Sequence, residues 1–146
     1  MFRGCFEHTI DDKGRLSIPA RFREALETTF SAPLYLTRHK DCLVAYPADE
    51  WRALEARINE LPAFDPKIQA FRRFFYAPAQ ECAVDRAGRI LVPPTLRAYA
   101  GLDRQVVLAG MGKNFEIWAK ERYDAAMDAV AAQFDEIAGA VGGLGL

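Results

Sequence analysis

Two short stretches carry residues whose types and spacing could do chemistry. Residues 10–23 read Ile-Asp-Asp-Lys-Gly-Arg-Leu-Ser-Ile-Pro-Ala-Arg-Phe-Arg, and residues 84–97 read Val-Asp-Arg-Ala-Gly-Arg-Ile-Leu-Val-Pro-Pro-Thr-Leu-Arg. Each holds the string Asp-x-x-Gly-Arg: Asp11, Gly14 and Arg15 in one, Asp85, Gly88 and Arg89 in the other. Glycine supplies the positive φ that a tight turn demands. Aspartate can accept from backbone N–H groups of its own turn and orient the arginine that follows. An arginine at the base of a strand can fork onto guanine O6 and N7 or neutralise a phosphate. The candidate DNA-contacting residues are therefore Arg15, Arg89, Lys13, Arg86, Arg3, Arg21 and Arg23, and the turn-organising residues are Asp11, Gly14, Asp85 and Gly88. Asp12-Lys13 becomes Arg86-Ala87 in the second copy, so Arg15 is expected to be the stronger contact and Arg89 the weaker.

These turns sit inside a longer internal repeat. At an offset of 74, Asp11, Gly14, Arg15, Pro19 and Arg23 match Asp85, Gly88, Arg89, Pro93 and Arg97. At an offset of 72, Leu34-Tyr35-Leu36 matches Val106-Val107-Leu108, and Leu43 to Tyr46 matches Phe115 to Trp118. Each copy reads as a strand (5–10 or 80–84), the turn, and a strand (15–18 or 89–92). A proline-started helix follows, and then two more strands (34–38 and 43–46, or 105–109 and 115–118). A longer helix closes each copy. Trp51, Leu54, Ile58 and Leu61 mark one face of the first, and Tyr123, Met127, Val130 and Phe134 mark the second, expected to run from Lys120 to Ile137. Between the copies, Asp65-Pro66 reads as an N-cap and N1 proline before a helix from Lys67 to Tyr76. The implied organisation is a first unit at 5–51, a helical connection at 52–79, a second unit at 80–123, and a C-terminal helix with a frayed end at 124–146. A unit of about 45 residues buries too little apolar surface to stand alone, so the two copies must pack together.

Composition narrows the function. The net charge is −1, which alone argues against a nucleic-acid partner, but the charges alternate in blocks. Residues 1–23 sum to +2, 24–66 to −4, 67–104 to +4 and 105–146 to −3, so both basic blocks surround the turns. No apolar run is long enough to span a bilayer, and the N-terminus does not read as a signal peptide, so the cytoplasm is the expected compartment. The three cysteines, Cys5, Cys42 and Cys82, are too widely spaced for a zinc site and read as small buried hydrophobes. No catalytic constellation, phosphate loop or metal-ligand spacing appears, so neither an enzyme nor a cofactor is expected; His8 and His39 are unpaired, and His39 to Cys42 reads as a turn between strands.

The string Asp11-x-x-Gly14-Arg15-Leu16-x-Ile18-Pro19, repeated from Asp85 to Pro93, resembles the AbrB-like swapped-hairpin (SpoVT-AbrB) family. The resemblance covers essentially the whole chain and implies an α+β, β-rich fold. In it, tandem swapped-hairpin units would form a pseudo-two-fold small β-barrel with flanking helices. Two-unit bacterial members of this kind associate into closed rings, octamers or similar. They bind short direct repeats in double-stranded promoter DNA of the division and cell-wall gene cluster, which includes their own gene. The resemblance therefore implies a nucleoid-associated transcriptional regulator, expected to repress, with no small-molecule substrate. Related barrels act as antitoxins that hold a partner protein through an extra tail; the short tail here argues against that role.

Overall fold

The computed structural model describes residues 1–145; of the C-terminal end considered above, only Leu146 lies outside them. In chain order the elements are β1 (Cys5–Thr9), β2 (Arg15–Ser17), α1 (Ala20–Thr28), β3 (Leu34–His39), β4 (Cys42–Pro47), α2 (Ala48–Asn59) and α3 (Pro66–Phe71, continued by a π-turn over Arg72–Tyr76). Then come β5 (Gln80–Cys82), β6 (Arg89–Leu91), α4 (Pro94–Ala100), β7 (Gln105–Gly110), β8 (Phe115–Ala119), α5 (Lys120–Ala132) and α6 (Phe134–Gly139).

The fold is α+β and strand-rich. Six strands form one antiparallel sheet in the order β1-β7-β8-β4-β3-β5, and β2 with β6 form a separate two-stranded ribbon. The expected small closed barrel is not formed among the described residues. The sheet is open, with the short strands β1 and β5 at opposite edges, and β2 and β6 pair with each other outside it.

The pairing follows the sequence repeat. Each half contributes a hairpin, β3–β4 or β7–β8. The strand ahead of each turn pairs with the other half: β1 lies on β7 with Phe6 opposite Leu108, and β5 lies on β3 with Gln80 opposite Leu36. The halves meet on two local axes. One passes between Val44 and Glu116, where β4 pairs with β8, and the other between Leu16 and Ile90, where β2 pairs with β6. Opposed residues at both places are equivalent positions of the repeat, so a local two-fold relates the halves.

One core serves both. Leu16, Ile18, Phe22, Leu34 and Leu36 from the first half pack with Ile90, Val92, Leu96, Leu108, Phe115 and Ile117 from the second. Pro19 and Pro93 stand at the N-caps of α1 and α4, and Gly101, at φ +66°, ends α4 in the left-handed conformation. Asp65 caps α3 by accepting from the Lys67 amide, with Pro66 next.

The helices depart from expectation in three places. The helix through Tyr76 widens into a π-turn at 72–76. There the Thr37 hydroxyl donates to the Phe75 carbonyl and Arg38 Nε to the Phe74 carbonyl at 2.7 Å. Phe75 meanwhile sits in the aromatic cluster of Trp51 and Tyr46. Contacts that draw carbonyls and a ring toward the sheet favour the wider turn. The C-terminal helix is two helices, broken at Gln133 (φ −121°, ψ 19°). Beyond Tyr123 it has little to pack on: α5 buries no residue fully, and Met127 and Phe134 are exposed. In α2, Trp51 and Ile58 are buried, but Leu61 lies past the helix end and is exposed.

Candidate nucleic-acid interface

The ribbon of β2 and β6 is three residues long on each strand, with Arg15 opposite Leu91, Leu16 opposite Ile90 and Ser17 opposite Arg89. Leu16 and Ile90 are buried. Because side chains alternate along a strand, Arg15, Ser17, Arg89 and Leu91 all project from the other face. The two arginines are diagonal neighbours on that face, roughly 7–8 Å apart at the backbone by the geometry of antiparallel pairs.

Each arginine is held by the aspartate four residues before it. Asp11 Oδ1 accepts from the amides of Lys13 (3.0 Å) and Arg15 (2.9 Å), while Oδ2 takes Arg15 Nε at 2.6 Å. Asp85 Oδ1 accepts from the Arg89 amide at 2.9 Å and Oδ2 from Arg89 Nε at 3.3 Å. The Arg15 amide, foremost, holds the Asp11 carboxyl below its ordinary range, against the opposing effect of desolvation. The Arg89 amide does the same for Asp85. Both glycines are buried with positive φ, +88° at Gly14 and +76° at Gly88, and their amides close the turns onto Asp11 O and Asp85 O. A side chain at either position would be strained by φ and crowded, with Val92 O 3.1 Å from a Cβ built on Gly14. With Nε engaged, the Nη nitrogens of Arg15 and Arg89 have no hydrogen-bond partner among the described residues, and the two side chains are 42% and 39% exposed, leaving a planar pair of donors available on each.

The other candidates divide. Lys13 and Arg86 are exposed in the turns themselves, and Arg21 is exposed on α1. Arg23 is half-buried and lies across Gly88, whose built Cβ would fall 2.6 Å from Arg23 Nη1. Arg3 is not brought to the turns. It adjoins the bridge of Phe2 to Gly112, at the far end of β1, and an extended chain at about 3.3 Å per residue puts it on the order of 20 Å from Asp11. Leu91, 59% exposed beside Arg15, is an apolar member of the same face that charge and turn chemistry do not reveal. Its signal was the apolar run Ile90-Leu91-Val92 where the first copy has Leu16-Ser17-Ile18.

The cysteines also divide. Burial pushes the Cys42 thiol up to about 12 and Cys82 to about 11, so both stay neutral. Cys5 is exposed, against the reading of all three as buried, with its Sγ 3.2 Å from Tyr123 Oη. No helix among the described residues is long and apolar enough to cross a membrane.

The profile of the MraZ protein family, described as antitoxin-like, matches this chain twice, over residues 1–74 and 75–140. The paired match agrees with the repeat and with the two structural halves. Among curated proteins, the transcriptional regulator MraZ of Lactiplantibacillus plantarum is 47% identical over 139 residues, covering 94% of this chain and 96% of that protein. That of Thermomicrobium roseum is 48% identical, covering 94% and 95%. That of Syntrophobacter fumaroxidans is 43% identical over 145 residues, covering 99% and 97%. These are named as regulators of transcription and not as enzymes. With both halves matched and identity of this order along nearly all of each protein, the chain belongs to the MraZ family.

Proposed function

We propose that the chain is a sequence-specific, DNA-binding transcriptional regulator, and that the outward face of the β2–β6 ribbon, with its two flanking turns, is the surface that meets double-stranded DNA. One observation carries this: two arginines related by the local two-fold project from one face of a two-stranded ribbon, each pinned by an aspartate and each with free Nη donors. A two-stranded ribbon fits the major groove, and a forked guanidinium reads guanine there. Leu91 adds an apolar contact beside Arg15 suited to a thymine methyl. Lys13, Arg86 and Arg21 neutralise phosphates at the rim. Arg23 packs inward on the second turn, and Arg3 lies outside the ribbon.

The exchange of β1 and β5 between the halves supports the finer fold assignment, two AbrB-type swapped-hairpin units in tandem. By that kinship, the chain acts as a ring-shaped homo-oligomer on short direct repeats. The target is the promoter of the division and cell-wall gene cluster that includes its own gene, in association with the nucleoid, with repression as the expected outcome.

The test is a gel shift with the DNA upstream of the gene. The wild-type chain is expected to give a discrete, salt-sensitive complex that Arg15→Ala abolishes or greatly weakens while the assembly stays intact. Arg89→Ala should weaken it less. Undiminished binding by Arg15→Ala would remove the ribbon from the reading.

A further inference from the structure

Helices α1 and α4 carry an arginine at the same place in the repeat, Arg23 and Arg97. Each reaches the turn of the other half. Arg97 Nη1 donates to the carbonyl of Asp12, inside the first turn, at 3.1 Å, while its Nε donates to the Leu102 carbonyl at 3.1 Å. Arg23 lies flat against Gly88 of the second turn, where a Cβ would meet its Nη1 at 2.6 Å and its Cδ at 2.7 Å. The backbone repeats this crossing: the Ile18 amide donates to the Gly88 carbonyl and the Val92 amide to the Gly14 carbonyl, both at 2.8 Å.

We infer that Arg97 is a positioning residue for the turn of Arg15 and Arg23 one for the turn of Arg89, each helix setting the DNA-facing turn of the opposite half. This rests on the DNA-binding reading above. In the first turn, Asp11 holds the amide side and Arg97 a carbonyl, so the loop is clamped from both sides. The second turn is held less completely. Arg23 Nε is buried with no hydrogen-bond partner among the described residues, and its grip on Gly88 is packing alone. The turn that begins Asp11-Asp12 is the better fixed for this reason, independently of which side chains it displays. A direct role for Arg97 on phosphate is disfavoured because two of its nitrogens already face protein carbonyls.

Arg97→Gln and Arg97→Lys separate positioning from phosphate contact. The first readout is amide hydrogen exchange in the full chain without DNA. Positioning predicts about tenfold faster exchange at Lys13, Gly14 and Arg15 in both variants, with Gly88 and Arg89 unchanged. The second readout is gel-shift affinity. It should fall about tenfold with an unchanged salt slope, and the loss should add to that of Arg89→Ala when the two are combined. Arg23→Gln should give the mirror pattern at Gly88 and Arg89, more weakly.

Unchanged exchange at 13–15 overturns the inference. So does an affinity loss that lysine restores, since lysine supplies a phosphate contact but cannot keep both carbonyl bonds. Should the glutamine variant fail to fold, the lysine variant, which keeps the charge, decides alone. The exchange result needs no DNA, so it stands or falls apart from the gel shift.

Discussion

At the scale of single residues, the candidate site is an arginine whose aim is set by an aspartate. The Asp11 carboxylate uses one oxygen on two turn amides and the other on Arg15 Nε. Its carboxyl is held below the ordinary range, chiefly by the Arg15 amide. A group whose folded value is depressed stabilises the fold above its unfolded value, near 3.9 for aspartate, and loses that contribution as pH falls through the folded value. Asp11→Asn keeps an acceptor for the amides and loses the ion pair. The wild type should therefore be the more stable at pH 7, with the gap narrowing below about pH 4, as read by urea unfolding at several pH values. A gap independent of pH would show that the charge of Asp11 does not hold the turn. Leu91 allows a second residue-level test. If it meets a thymine methyl, replacing thymine by uracil in the site should weaken wild-type binding and leave Leu91→Ser indifferent; equal sensitivity in both would assign Leu91 no part in readout.

At the scale of elements, the ribbon depends on Leu16 and Ile90, which face each other at its centre and plug it into the core at 0% and 1% exposure. Truncating either to alanine should cost about 2–5 kcal/mol in chemical denaturation, with similar costs for the two because they are equivalent positions. A cost below about 0.5 kcal/mol would mean that the ribbon is not anchored there.

Much at this scale was legible. The strand after the first turn, the proline-started helices α1 and α4, and the start of α3 at Asp65-Pro66 all follow from local sequence. Periodicity tells which side of a strand faces inward but not which strand lies beside it. The pairing of β1 with β7 and of β5 with β3 therefore had to come from the structure, as did the open sheet in place of a barrel. The π-turn was hidden because Thr37 and Arg38, which bind its carbonyls, lie more than thirty residues away in sequence. Arg3 was grouped with the turns by charge alone, and the extended run of β1 carries it to the opposite end. Charge groups Arg23 with the DNA contacts and the repeat pairs it with Arg97, but their reach onto the opposite turn is not legible because it crosses between the halves.

At the scale of the whole molecule, the chain offers two turns, and two turns with a few contacts each would bind weakly. In the proposed ring, each further engaged subunit acts at the effective concentration set by its neighbours, which can add 10²–10⁴ in affinity without new contacts. The gain requires the DNA repeats to lie on the face of the duplex that the ring presents. B-DNA turns once in about 10–10.5 base pairs, so lengthening the spacer between two repeats by about 5 base pairs puts the second repeat on the far side. Affinity should then fall toward that of a single repeat and recover when a full turn is inserted. Salt should act in the same direction. The slope of log affinity against log salt is about −0.9 per phosphate neutralised, so a two-repeat site should show a steeper slope than one repeat, and the half-turn spacer should return it to the single-repeat value. Equal affinity and slope for the one-repeat, in-phase and out-of-phase probes would mean that a lone subunit accounts for all the binding, and the assembly would have no part in recognition.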